Sequence, residues 1–360
     1  MKNAIFTASI IGVLVFTSCS KSDKMDTNMD ANMDMNTAVN VNYPAAYVVN
    51  GQDATVSVIK LSTNEVTATI PLMGTGTDMI MWPHHISSRE NNLAIGVPMM
   101  DLSAGHSGIM TAGMTGKLVI INATTGAIVK NISLPKMNHN SIYSPDGTEI
   151  WVPQMDATNS KILVYDATTT ALKNTINTGK MTAELTFSSD GRKAYAANGD
   201  DNSVTVINVA TKEIIKTIPV GLHPVGAWTG SNNKMYVDNE DGKTISVIDV
   251  ATNAVVETIT LGFMPGIACH NGTKNELWVS DPMAGKVHYW TYDTAMAMWM
   301  PGGVFNTGAG AHAISFTMDG NTAYVTNQTA NTVSVVNVAN HTISKTIAVG
   351  KKPNGVVIKM

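Results

Sequence analysis

A unit of about 40–45 residues repeats along this chain, and no other feature of the sequence restricts its fold as much. The unit is cleanest over residues 310–350, GAHAISFTMDGNTAYVTNQTANTVSVVNVANHTISKTIAVG. An apolar run (Ala313 to Phe316) meets the turn Met318-Asp319-Gly320. Three further β-branched segments follow, over 322–326, 332–338 and 342–349, each bounded by polar turn residues. Val, Ile and Thr at period two predict short antiparallel strands, because that spacing builds no 3.6-residue apolar stripe. Upstream copies carry Ser144-Pro145-Asp146-Gly147 with Trp151 and Ile162, and Ser189-Asp190-Gly191 with Tyr195 and Val204. Two more carry Tyr236 with Ile245, and Trp278.

A four-stranded unit of this size cannot bury both of its faces alone, so the copies must pack on one another. Radial packing of such sheets predicts an all-β propeller. Counting second strands at Tyr47, Gly96 (an irregular copy), Trp151, Tyr195, Tyr236, Trp278 and Tyr324 predicts seven blades. The chain enters the repeat at a second strand, Ala46–Val49, and finishes with a lone first strand, Gly355–Lys359. Strands from both ends then complete one blade and leave no open edge.

The segments Ser144-Pro145-Asp146-Gly147, Tyr324-Val325-Thr326-Asn327 and Ile207-Asn208-Val209-Ala210-Thr211 resemble the YVTN-repeat β-propeller family, over roughly residues 45–360. The resemblance implies the fold. It leaves the function open, since such propellers serve as enzymes, cofactor holders and binding platforms.

Residues 1–18 join a basic Lys2 to an apolar run from Ile10 to Phe16, the pattern of a secretory signal too short to span a membrane. It ends at Phe16-Thr17-Ser18-Cys19, which resembles a lipoprotein cleavage box with Cys19 as the acylated residue. Ser20-Lys21-Ser22-Asp23 resembles the surface-export signals of some Gram-negative lipoproteins. The expectation is therefore an outer-membrane lipoprotein, periplasmic or surface-exposed and monomeric, held by acyl chains on Cys19. Residues 19–42 read as a disordered tether in which Met25-Asp26, Met29-Asp30 and Met33-Asp34 recur every four residues, and residues 43–360 as the propeller. The tether is either a solvated spacer or a thioether trap for soft metal.

Cys269 is the only other cysteine, which leaves no intramolecular disulfide once Cys19 is acylated. No Cys-x-x-Cys-His is present, so covalent haem of that type is excluded. Nor are there a nucleophile elbow, a phosphate loop or a His-Glu-x-x-His zinc motif. With 14% charged residues and a net charge of −4, the chain has no basic stripe for nucleic acid.

The unusual residues fall on one face. Loops joining fourth to first strands and second to third strands open together, and they carry 11 of the 23 Met and six of the nine His. His139 and His312 stand twelve residues before the second-strand aromatics Trp151 and Tyr324, and His84 twelve before Gly96. One repeat slot thus directs three imidazoles toward the channel mouth, with His85 next to the first and Met81 and Met137 close by in sequence. The second blade also carries a Gly-rich insertion between Pro98 and Gly116, long enough for a lid, that adds His106, Met110 and Met114. Imidazole with thioether is a donor set for copper rather than calcium or magnesium. The candidate metal ligands are His84, His85, His106, His139, His312, Met81 and Met137. Three functions stay open: a copper-binding protein, a protein- or glycan-binding platform using Trp82 and Trp228 at the same mouth, and a copper-dependent redox enzyme.

Overall fold

The computed structural model describes residues 39–74, 76–109 and 111–360, together with Met1. The signal segment, Cys19 and the Met-Asp run lie outside the described residues. Seven four-stranded antiparallel sheets follow one another along the chain, each running from an innermost first strand to an outermost fourth. The first blade takes its innermost strand, Pro353–Lys359, from the C-terminal end and its other strands, Ala45–Asn50, Thr55–Lys60 and Glu65–Pro71, from the N-terminal end. Residues 39–42, expected in the tether, pack on this body. The Val41 N–H donates to the Thr124 carbonyl at 2.8 Å, and the Val41 side chain is buried between the first two blades.

Burial grades outward through each blade. Second strands such as Ala45–Asn50 and Glu149–Gln154 are buried at every residue, while fourth strands such as Leu172–Asn177 are mostly exposed. The second-strand aromatics Tyr47, Trp151, Tyr195, Tyr236, Trp278 and Tyr324 are the largest fully buried side chains. They wedge between neighbouring sheets, where one aromatic fills the gap opened by sheet twist.

The repeat motifs have distinct physical tasks. The asparagine closing the second strand turns its amide onto two hydroxyls of the third strand. Asn327 Nδ2 donates to Thr332 and Ser334 at 3.0 Å, and Asn50, Asn198 and Asn239 do the same in their blades. The Asp-Gly turns close the first hairpins: Asp146 accepts the Ser144 hydroxyl at 2.6 Å, and Gly147 takes a φ of +72° that other residues adopt only under strain.

The second blade departs from the expected alignment. Ala94, not Gly96, occupies the aromatic position, because Ala94 lies opposite Ser87 just as Trp151 lies opposite Ile142. The first hairpin of this blade is two residues shorter than that of the third, and the shortening cancels the misplaced mark. His84 therefore still stands three residues before the residue paired with the aromatic position, as His139 and His312 do. Gly96 has another task. A side chain there would meet the His139 carbonyl oxygen at 2.6 Å, and one at Gly355 would meet the His84 carbonyl oxygen at 2.6 Å.

Candidate metal centre in the channel

The equivalent slots converge as the ring geometry requires. His84, His139, His106, His312 and His85 are all buried, with at most 9% of each residue exposed. The rings of His84 and His139 lie 3.9 Å apart, and that of His312 lies 5.3 Å from His84. His139 Nε2 is the hub, 3.3 Å from His84 Nε2 and 3.0 Å from His106 Nε2. Ring nitrogens of His84, His85 and His139 also fall within 4.8 Å of one another.

The nitrogens facing away from the hub meet oxygen. His106 Nδ1 is 2.9 Å from Glu240 Oε1, and the His106 backbone N–H donates to Glu240 Oε2 at 3.0 Å. His312 Nδ1 lies 3.1 Å from the Asn354 carbonyl. Glu184 Oε1 sits between two rings, 2.5 Å from His139 Nδ1 and 3.0 Å from His85 Nε2. Both approaches are off the axis of a hydrogen bond, so these two nitrogens, His84 Nδ1 and Glu184 Oε2 are buried without a hydrogen-bonding partner. Native interiors rarely leave polar atoms unpaired, and here four belong to His84, His85, His139 and Glu184 of one cluster.

Burial, followed by the neighbouring imidazoles, holds His84 and His139 well below the usual histidine range. The same causes hold His312 at about 4. Burial would lower His106 as well, but the Glu240 carboxylate outweighs it and raises His106. His84, His139 and His312 are thus held as neutral rings, while His106 is paired with the Glu240 carboxylate.

The insertion of the second blade folds over this cluster as a lid. Leu102 inserts among Met137, Met155, Met181, Ala183 and Val225, with Met100 and Ile109 at the margin. Gly105, at a φ of +107°, turns the chain so that His106 points inward. The lid is tied at its flanks by a Thr111 hydroxyl accepting the Ala157 N–H at 3.2 Å and by Lys352 Nζ donating to Ser103 at 3.1 Å.

The sequence-predicted ligands divide accordingly. The five histidines come together. Met137 is fully buried in the apolar plate beneath the lid, and Met81 is 41% exposed. The buried methionines of this face form the seat of the lid, where an adaptable unbranched side chain fills an irregular gap. Met114 is exposed, and Met110 lies outside the described residues. Trp228 lines the channel with its ring 5.8 Å from that of His85. Cys269 sits on an innermost strand as expected, and burial pushes its thiol up to about 12.

Sequence reasoning missed the acidic partners Glu184, Glu240 and Asp238. Asp238 is fully buried, accepts the Trp228 indole N–H, and is raised well above the carboxylate range by burial and by Glu184. One signal was present: Tyr236-Val237-Asp238-Asn239 places a carboxylate where Tyr324-Val325-Thr326-Asn327 has Thr, at a position the repeat buries.

No curated protein sequence matches the chain. Among solved structures, the periplasmic gluconolactonase of Pseudomonas aeruginosa is similar at 14% identity and a TM-score of 0.68, covering 88% of this chain and 99% of that one. A putative 6-phosphogluconolactonase of Bacteroides fragilis is similar at 14% identity and 0.67, covering 89% and 99%. A protein from Lactobacillus plantarum is similar at 9% identity and 0.69, covering 88% and 100%. At these identities the likeness is one of fold. A profile of the YNCE-like β-propellers matches residues 87–334, which hold the third to sixth blades entire, nearly all of the second and part of the seventh, so the chain belongs to the YNCE-like β-propeller family.

Proposed function

We propose that this propeller is an extracytoplasmic metal-binding protein that holds one transition-metal ion, preferentially copper, among His84, His139 and His106, with His85 adjacent. One observation carries the reading: three Nε2 atoms meet at separations of 3.3 and 3.0 Å. A single imidazole nitrogen carries either one proton or one lone pair, so His139 Nε2 makes one good N–H···N bond, not two. Two nitrogens bound to a common tetrahedral ion at 2.0–2.1 Å stand about 3.3 Å apart. The outward contact of His106 with Glu240 is that of a ligand whose second nitrogen is turned by a carboxylate.

Copper is favoured because it binds tightest of the divalent first-row ions to such donors, and imidazole accepts both of its oxidation states. Zinc is the principal competitor. With Met81 and Met137 apart from the nitrogens, thioether does not bias the site toward Cu(I). The lactonase names of two structural neighbours belong to those proteins, and a shared fold at 14% identity transfers no site.

The test is a titration of protein purified without a His tag, with and without residues 1–38, against copper and against zinc. We expect about one tightly held copper per propeller. The His84→Ala/His139→Ala variant should lose it while keeping its strand content, and Glu240→Ala should weaken it by about 10–100-fold. Equal stoichiometry and affinity in wild type and the double variant would return the histidines to a packing role.

A further inference from the structure

Beyond the histidines, away from the lid, the central channel continues as a cavity of about 170 Å³ walled by residues from all seven blades. His85 forms its inner end, and exposed Thr229 stands at its rim. Two properties of the wall define what fits. First, among the described residues no Asp, Glu, Lys or Arg lines it. Second, five of its polar side chains already spend a donor within the protein. Ser87 donates to the Ser141 carbonyl at 2.8 Å and Asn140 to the Leu185 carbonyl at 2.9 Å, while Thr186 and Thr229 donate to Ala227 and Phe187 carbonyls. The Trp228 indole N–H is taken by Asp238. These bonds tie neighbouring innermost strands and leave little donor capacity facing the lumen. The carboxylates Glu184 and Glu240 lie instead on the lid side, around a separate cavity of about 70 Å³.

We propose that this channel admits a small uncharged molecule to the histidine centre from the side opposite the lid. The inference rests on the metal reading above. A charged ligand would shed its hydration and meet no countercharge in the wall, which costs several kcal/mol. A small neutral molecule loses little on entering an apolar passage. The two ends of the centre thus face different chemistry: cations approach through the acidic lid side, and neutral ligands approach through the channel.

Carbon monoxide is the probe, mixed with copper(I)-loaded full-length protein and followed by its infrared stretch and binding rate. Wild type should take one molecule per copper. Ala313→Phe and Cys269→Phe, on different blades of the wall, should retain copper and slow binding at least tenfold. Azide, offered to the copper(II) form, should bind poorly or at a rate the plugs leave unchanged. Copper without carbon monoxide binding overturns the channel inference alone, as does an unchanged rate in the plugged variants. Azide that enters as readily as carbon monoxide, and at a rate the same plugs slow, overturns the selectivity. Protein that takes up no copper overturns both this inference and the metal reading, and elemental analysis of the same samples tells these failures apart.

Discussion

Two glycines decide how closely the histidines approach. Gly96 and Gly355 leave room for the backbones of His139 and His84, whose carbonyls occupy the space a methyl group would need. Gly96→Ala should therefore displace His139, lower stability by about 1–3 kcal/mol, and weaken copper binding together with it. A variant that melts and binds like wild type would show that the backbone absorbs the extra carbon freely. The histidines were legible in the sequence because they share one register with a repeating aromatic, and a repeat converts register into position. Glu184 and Glu240 were not legible in this way. Glu184 is a single carboxylate on a strand and Glu240 one in the turn after a strand, and the partner of each lies far off in sequence on another blade.

At the scale of elements, the strand at 353–359 and the lid at 98–115 do opposite things. The strand completes a sheet: Tyr47 lies between Val357 and Val58, so removing the strand uncovers a buried backbone edge. Deleting residues 351–360 should produce aggregation or a large drop in melting temperature, since an exposed edge templates pairing with other chains. A truncated protein that stays monomeric with an unchanged melting temperature would exclude that role. This element was legible because a lone first strand at one end matched a missing first strand at the other. The lid was legible only as an insertion. Its inward histidine depends on Gly105 and on a plate of methionines from other blades, and no local pattern announces that meeting.

On the scale of the whole molecule, blade number and closure followed from the repeat alone, even though the second blade was marked two residues from its true alignment. The address of the protein rests on residues 1–23, which lie outside the described residues but for Met1. If Cys19 is acylated, Cys19→Ala should release the propeller from the membrane fraction or block its processing. Unchanged fractionation with normal processing would reject the anchor.

The shared first blade also sets the order of events during synthesis. Ala45–Asn50 is among the first strands made, yet the strand that covers it, Pro353–Lys359, is made after the other six blades. Until then the ring is an open crescent with a bare backbone edge. His84 leaves the ribosome early but lacks the strand whose Gly355 lies against its carbonyl. Closure of so distant a contact is slow. The nascent chain therefore passes through its most aggregation-prone form just before its last residues are in place, and a chaperone or an export channel that holds the crescent apart from its neighbours would matter most at that moment.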